Sequence, residues 1–140
     1  MDVWIQNNQK LQRIPKKRIE VFMNALSKHL DLEKKAPCEI SISFVTDLEM
    51  KKINTKYRRI AKTTDILSFP MDDVCLGDLV ISVQRTRLQA EERNHSFGIE
   101  LKHLLVHGLL HLLGYEHKEN PDPMRVLEKA LLQKTKGFSL

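Results

Sequence analysis

Cysteine is scarce in this 140-residue chain: Cys38 and Cys75 stand 37 positions apart, outside any CxxC pair, so neither a disulfide framework nor a thiolate zinc cluster is expected. They read as ordinary reduced thiols. Long apolar runs are missing too. The richest stretch, residues 97–113, is interrupted by Glu100, Lys102, His103, His107 and His111, which makes it too polar and too short to cross a bilayer. The first twenty residues contain Asp2 and no run of seven apolar residues. No secretory signal or transit peptide is visible there, and a cytoplasmic setting away from membranes is expected. No internal repeat, low-complexity tract or Gly/Ser linker divides the chain, so one domain over residues 1–140 is expected. Aromatic residues make up only 6%, which leaves few flat surfaces for stacking.

What is present is the balance of an ordinary globular domain, 41% hydrophobic and 29% charged. A chain of this size buries roughly 68% of its unfolded surface, enough for a core without covalent staples, so any metal would serve chemistry first. Lys and Arg exceed Asp and Glu by 23 to 18, a formal charge of +5 that favours an anionic partner without naming one.

The hydrophobic pattern predicts a mixture of strands and helices. Residues 3–7, 39–45, 66–69 and 79–82 read as strands, the second by its clean alternation Ile40, Ser41, Ile42, Ser43, Phe44. Pro15 opens a helix carrying Ile19, Phe22, Leu26 and Leu30 on one face, and Thr46 with Glu49 forms a capping box for a second helix to about Tyr57. A polar helix follows over residues 83–93. Ser96 then caps a mostly apolar one over residues 97–113, stopped by Gly114, and residues 124–134 make the last. The expected fold is α+β: a small mixed sheet of about four strands with about five helices mainly on one side, the helix of residues 97–113 packed on most of its faces.

That central helix carries the chemistry. His107 and His111 lie one turn apart, a rise of ~6 Å, so both imidazoles can aim at one point. Gly114 can end the helix in a left-handed conformation and swing His117 back to the same point, which gives three ligands and one open position in the pattern HxxxHxxGxxH. His103 stands eight residues from His111, a rise of ~12 Å, too far to share an ion, and it reads with His29 and His95 as a packed or supporting histidine. The metzincin proteases have the same ligand spacing, with a glutamate general base after the first histidine. Here that position is Gly108, which removes the base and was expected to admit close approach of backbone, water or substrate.

The run His107 to His117, with Tyr57-Arg58, the segment Thr64-Asp65-Ile66-Leu67-Ser68-Phe69-Pro70 and the segment Leu76-Gly77-Asp78-Leu79-Val80-Ile81-Ser82, resembles the YbeY family of bacterial single-strand-specific endoribonucleases. Glu116 stands where that family commonly has Asp, and Thr63 where Pro is common. The resemblance implies a zinc-like ion on His107, His111 and His117, a functional arginine at Arg58, and ribosomal RNA cut near the 3′ end of the small-subunit rRNA. It further implies the small ribosomal subunit as partner, with ribosomal proteins and a ribosome-associated GTPase. The charges fit a phosphate backbone: Lys51, Lys52, Lys56, Arg58, Arg59 and Lys62 put six basic residues and no acidic one into twelve positions.

The expected reaction is metal-assisted phosphodiester hydrolysis, with Arg58 neutralising phosphate charge and Glu116, the acid nearest the ligands in sequence, as base or supporting partner; attack by the RNA's own 2′-hydroxyl, which needs no activated water, is equally compatible with the sequence. Asp65 and Asp78 read as structural, either of them a salt-bridge partner for Arg58. Phe69, Tyr57 and Tyr115 are the nearest stacking candidates, and no RRM, KH or zinc-knuckle signature is present. The ion is expected to be Zn2+, with nickel or another transition metal able to occupy three imidazoles. Two competing readings keep the ligand set: a non-catalytic ribosome-assembly factor with a structural metal, and a zincin-like metalloprotease or other hydrolase. Three ligands argue against the first, because structural zinc sites close with four.

Overall fold

The computed structural model describes residues 1–34, 38–72, 75–117 and 122–140, without the side chain of Glu33. Four strands, β1 (Asp2–Asn7), β2 (Glu39–Val45), β3 (Ile66–Pro70) and β4 (Cys75–Ser82), form one sheet in the order β1-β2-β4-β3. The first two pairings are parallel and β3 runs antiparallel to β4, so the sheet is mixed as expected. Among the described residues five α-helices, α1 (Lys16–His29), α2 (Asp47–Arg58), α3 (Val83–Glu92), α4 (Phe97–Leu112) and α5 (Pro123–Lys134), and a short 3-10 turn at Leu32–Lys34 complete the fold. Side-chain oxygens of Thr46, Ser82 and Ser96 accept from the backbone N–H three residues on and set the starts of α2, α3 and α4.

Alternation along the strands divides the apolar residues between two faces. Ile40, Ile42, Phe44, Leu79 and Ile81 join Phe22 and Leu26 of α1 and Leu101, Leu105 and Leu109 of α4 in the main core. Val45, Leu67 and Val80 point the other way and meet Met50 of α2 in a small second cluster. The helices therefore do not all share one side: α2 covers the opposite face. α4 is buried on most of its circumference, between the sheet, α3 and α5.

Two glycines fix how closely α4 approaches the sheet. A Cβ on Gly108 would lie 2.8 Å from the δ-methyls of Ile66 and Leu79, so the residue that replaces the protease base faces the strands rather than water or substrate. Gly77 sits in β4 at φ +143°, where the register with β2 slips: Glu39 pairs with Cys75 and Ile40 with Gly77, leaving Leu76 as an extra residue. The sequence pattern placed this glycine in a loop, whereas the strand already begins at Cys75.

Polar packing anchors the start of α4. Glu100 is fully buried, and the Arg93 guanidinium donates to both its carboxylate oxygens at 2.7 and 2.9 Å, with His95 Nε2 3.4 Å away. Removing one partner of a buried pair strands the other charge, at a cost of 3–5 kcal/mol when both are buried. Arg93 is half exposed, so Arg93→Ala is expected to cost less, about 2 kcal/mol, measured as a lowered midpoint in urea unfolding with the slope unchanged.

Candidate metal centre

The predicted turn at the end of α4 is present. Tyr115 N–H donates to Leu110 O, Gly114 N–H donates to His111 O, both at 3.0 Å, and Gly114 takes φ +96°, the pattern of a Schellman stop. The chain bends there and returns His117 over the last turns of the helix. His107 and His111 meet with Nε2 atoms 3.0 Å apart and ring centroids 4.4 Å apart. The His117 ring stacks on His107 at 5.4 Å and lies 6.4 Å from His111. Burial, reinforced by the His107 ring beside it, holds the His111 imidazole below the usual histidine pKa, which favours the neutral form that a metal ligand requires.

Two carboxylates from the α5 region close around these rings, and neither was singled out from the sequence. Glu128 Oε1 lies 3.0 Å from His107 Nδ1 and 3.3 Å from His117 Nε2. Asp122 Oδ2 lies 2.9 Å from His117 Nδ1, a hydrogen bond that lowers the Asp122 pKa, while Asp122 Oδ1 accepts from Arg125 N–H at the start of α5. His107, His117 and Glu128 offer ligand atoms all within 4.8 Å of one another and could hold a metal ion. His111 joins this group through His107. The only sequence signal for Glu128 is an acid one turn from the buried Met124 and Leu131, on the face that α5 turns to the core.

Two clefts of about 620 and 610 Å3 run from this centre and share His107 and Asp65. The first is walled by Arg93, His103, Arg125 and Glu128, the second by Arg58, Ser68, His111, Tyr115 and Glu116. Arg58 at the end of α2 is exposed and, among the described residues, pairs with no acid, so neither of its expected salt bridges forms. Glu116 is likewise exposed with no hydrogen bond to a described residue. Asp65 is structural as expected, accepting from Ile66 N–H, Thr64 Oγ1 and Gln89 Nε2. Lys51, Lys52, Lys56, Arg59 and Lys62 are all exposed beside Arg58. Tyr57 packs edge-on against Phe69 at 5.6 Å, and Tyr115 borders the second cleft. His103 is exposed on the wall of the first cleft, 5.7 Å from the His95 ring, and His29 is exposed at the end of α1, so neither is packed inside.

The family model of Endoribonuclease YbeY matches residues 4–136. The chain belongs to the YbeY endoribonuclease family. Among curated relatives, Endoribonuclease YbeY of Clostridium perfringens is 36% identical, with 94% of this chain and 95% of that protein covered. Endoribonuclease YbeY of Clostridioides difficile is 35% identical with 96% of both covered, and that of Finegoldia magna 45% identical with 68% of this chain and 67% of that protein covered. The solution structure of a Thermotoga maritima protein superposes with a TM-score of 0.68 at 24% identity, covering 96% of this chain and 89% of that one, which supports the fold. The family and the enzyme class expected from the sequence, an endoribonuclease, are borne out. Among the described residues no helix is long and apolar enough to cross a membrane.

Proposed function

We propose that this single domain is a metal-dependent endoribonuclease that cuts single-stranded ribosomal RNA, maturing the 3′ end of 16S rRNA and serving ribosome quality control in the cytoplasm. The observation that carries this reading is the facing pair of His107 and His111 nitrogens, 3.0 Å apart where two clefts meet. Two nitrogens bound to one tetrahedral ion at 2.0–2.1 Å are roughly 3.3 Å apart, so the donor set fits a divalent ion, and imidazoles suit Zn2+ with nickel as the alternative. His107 and His111 would hold it through Nε2, with His117 as the third ligand. An ion bound there supplies Lewis acidity to a phosphoryl oxygen and to the attacking water.

The protein's own groups supply the rest. Arg58, exposed on the wall of the second cleft and without an acidic partner among the described residues, spans two phosphate oxygens with its planar fork. Glu116, exposed on the same wall, takes the proton of the attacking water on its carboxylate. The exposed lysines and arginines around Arg58 follow the strand outward. No base-reading module is present, so the small subunit, ribosomal proteins and a ribosome-associated GTPase position the RNA.

Elemental analysis of the purified protein, paired with cleavage of a single-stranded RNA before and after chelation, tests the reading. About one divalent ion per chain, cleavage lost on chelation and products with 5′-phosphates are expected, while a 2′,3′-cyclic phosphate end overturns the water route. Arg58→Ala is expected to lower kcat about 10²-fold, the loss typical of one donor to a developing anion, with little change in thermal midpoint. A second reading, a structural ion tying α4 to α5, draws on the reach of Glu128 Oε1 to both His107 and His117.

A further inference from the structure

We infer that Glu128 is a positioning residue that holds His107 as its Nδ1–H tautomer and so turns the Nε2 lone pair of His107 towards His111. The inference rests on the reading above, in which His107 and His111 bind the ion through Nε2. An imidazole has its two nitrogens on different edges, and the hydrogen bond at one decides which lone pair is left at the other. Glu128 Oε1 occupies the Nδ1 edge of His107 at 3.0 Å, and His111 Nε2 faces the Nε2 edge at the same distance. A ligand role for Glu128 on His107 Nδ1 would place the ion on the wrong edge to reach His111. The two arrangements are therefore mutually exclusive, and the 3.0 Å approach of His111 selects the first.

The surroundings of Glu128 support an orienting task. Its side chain is 20% exposed and, among the described residues, makes no ion pair with a lysine or arginine, although Arg125 lines the same cleft. Its polar contacts are the two imidazoles. An acid on the inward edge of an amphipathic helix is costly to bury without partners, and the Nδ1–H of His107 at 3.0 Å is what satisfies it. Asp122 stands in the same relation to His117, 2.9 Å from Nδ1, so α5 contributes a carboxylate to each of two histidines from another part of the chain. Glu128 is a separate element from the cleft-wall pair Arg58 and Glu116: it acts through His107 and need not touch RNA.

The test compares full-length wild type, Glu128→Gln and Glu128→Ala, each titrated with Co2+ against a competing chelator, with the visible spectrum of the bound Co2+ recorded. Glu128→Ala is expected to bind about 10- to 100-fold more weakly. Glu128→Gln, whose amide oxygen still accepts from Nδ1–H, should recover most of that loss, and its spectrum should match wild type because no ligand has changed. The hydrogen-bonded Nδ1 proton of His107 should appear by NMR in the zinc-loaded wild type and Gln variant and vanish in Glu128→Ala. Equal affinity in all three proteins overturns the inference, as does an altered Co2+ spectrum in Glu128→Gln, which would make Glu128 a ligand. Failure of the wild type to bind Co2+ or Zn2+ at all instead overturns the metal reading itself. If Glu128→Ala does not fold, the Nδ1 proton of His107 in the zinc-loaded wild type and Gln variant decides, and its absence from the wild type overturns the inference.

Discussion

His111→Ala is expected to abolish RNA cleavage, by at least about 10³-fold, because losing a ligand costs more than the 10- to 100-fold of losing a ligand's hydrogen-bond partner. The fold should survive. The His111 side chain is half-buried on a cleft wall, where it meets His107 Nε2 and hydrogen-bonds to the Tyr115 backbone, so the truncation opens space to water rather than a cavity in the core. A stability change within about 1 kcal/mol follows from that setting. Cleavage of a single-stranded RNA, circular-dichroism melting and ribosome binding, measured on one preparation, check it. Loss of cleavage with folding and ribosome binding retained supports the enzyme. Loss of folding would turn the ion into a structural element.

Gly77→Ala is expected to destabilise the protein by about 3 kcal/mol, from overpacking of 1–3 kcal/mol plus roughly 1 kcal/mol for a positive φ in a residue with a Cβ. The added carbon would overlap the backbone oxygen of Phe69 and lie 2.9 Å from Leu112 Cδ2. A flexible side chain could yield, but the Phe69 carbonyl belongs to the β3–β4 ladder and cannot. Leu112 neighbours His111, so activity should fall together with the unfolding midpoint. Denaturant unfolding that matches wild type would show that the β-bulge at Leu76 tolerates an ordinary residue.

The elements that were legible in the sequence were those whose signal is local. Alternation in β2, the Thr46 and Ser96 caps and the Gly114 stop lie within a few residues of what they control, and the structure places them as the pattern predicts. The three-histidine cluster was legible for the same reason, since one turn of helix and one glycine bend determine it. What escaped depends on contacts between distant segments. Glu128 is 21 residues from His107, and nothing in an amphipathic helix says which of its acids turns inward. Glu100 read as a polar interruption of an apolar run, although it is buried against Arg93. Gly77 read as a turn residue because a bulge is visible only against its partner strand. Periodicity puts His29 on the apolar face of α1, but periodicity does not tell the middle of a helix face from its rim, and His29 is exposed.

The orientation of Gly108 limits how far this scaffold can be repurposed. Placing a glutamate there to reconstitute the HExxH arrangement of a zinc peptidase would drive a carboxylate against the δ-methyls of Ile66 and Leu79 instead of presenting it to solvent. Redesign towards amide hydrolysis cannot therefore borrow its base from the neighbouring helical position. An acid would have to be grafted from the cleft walls, among the residues that already line them, Arg58 and Glu116 included.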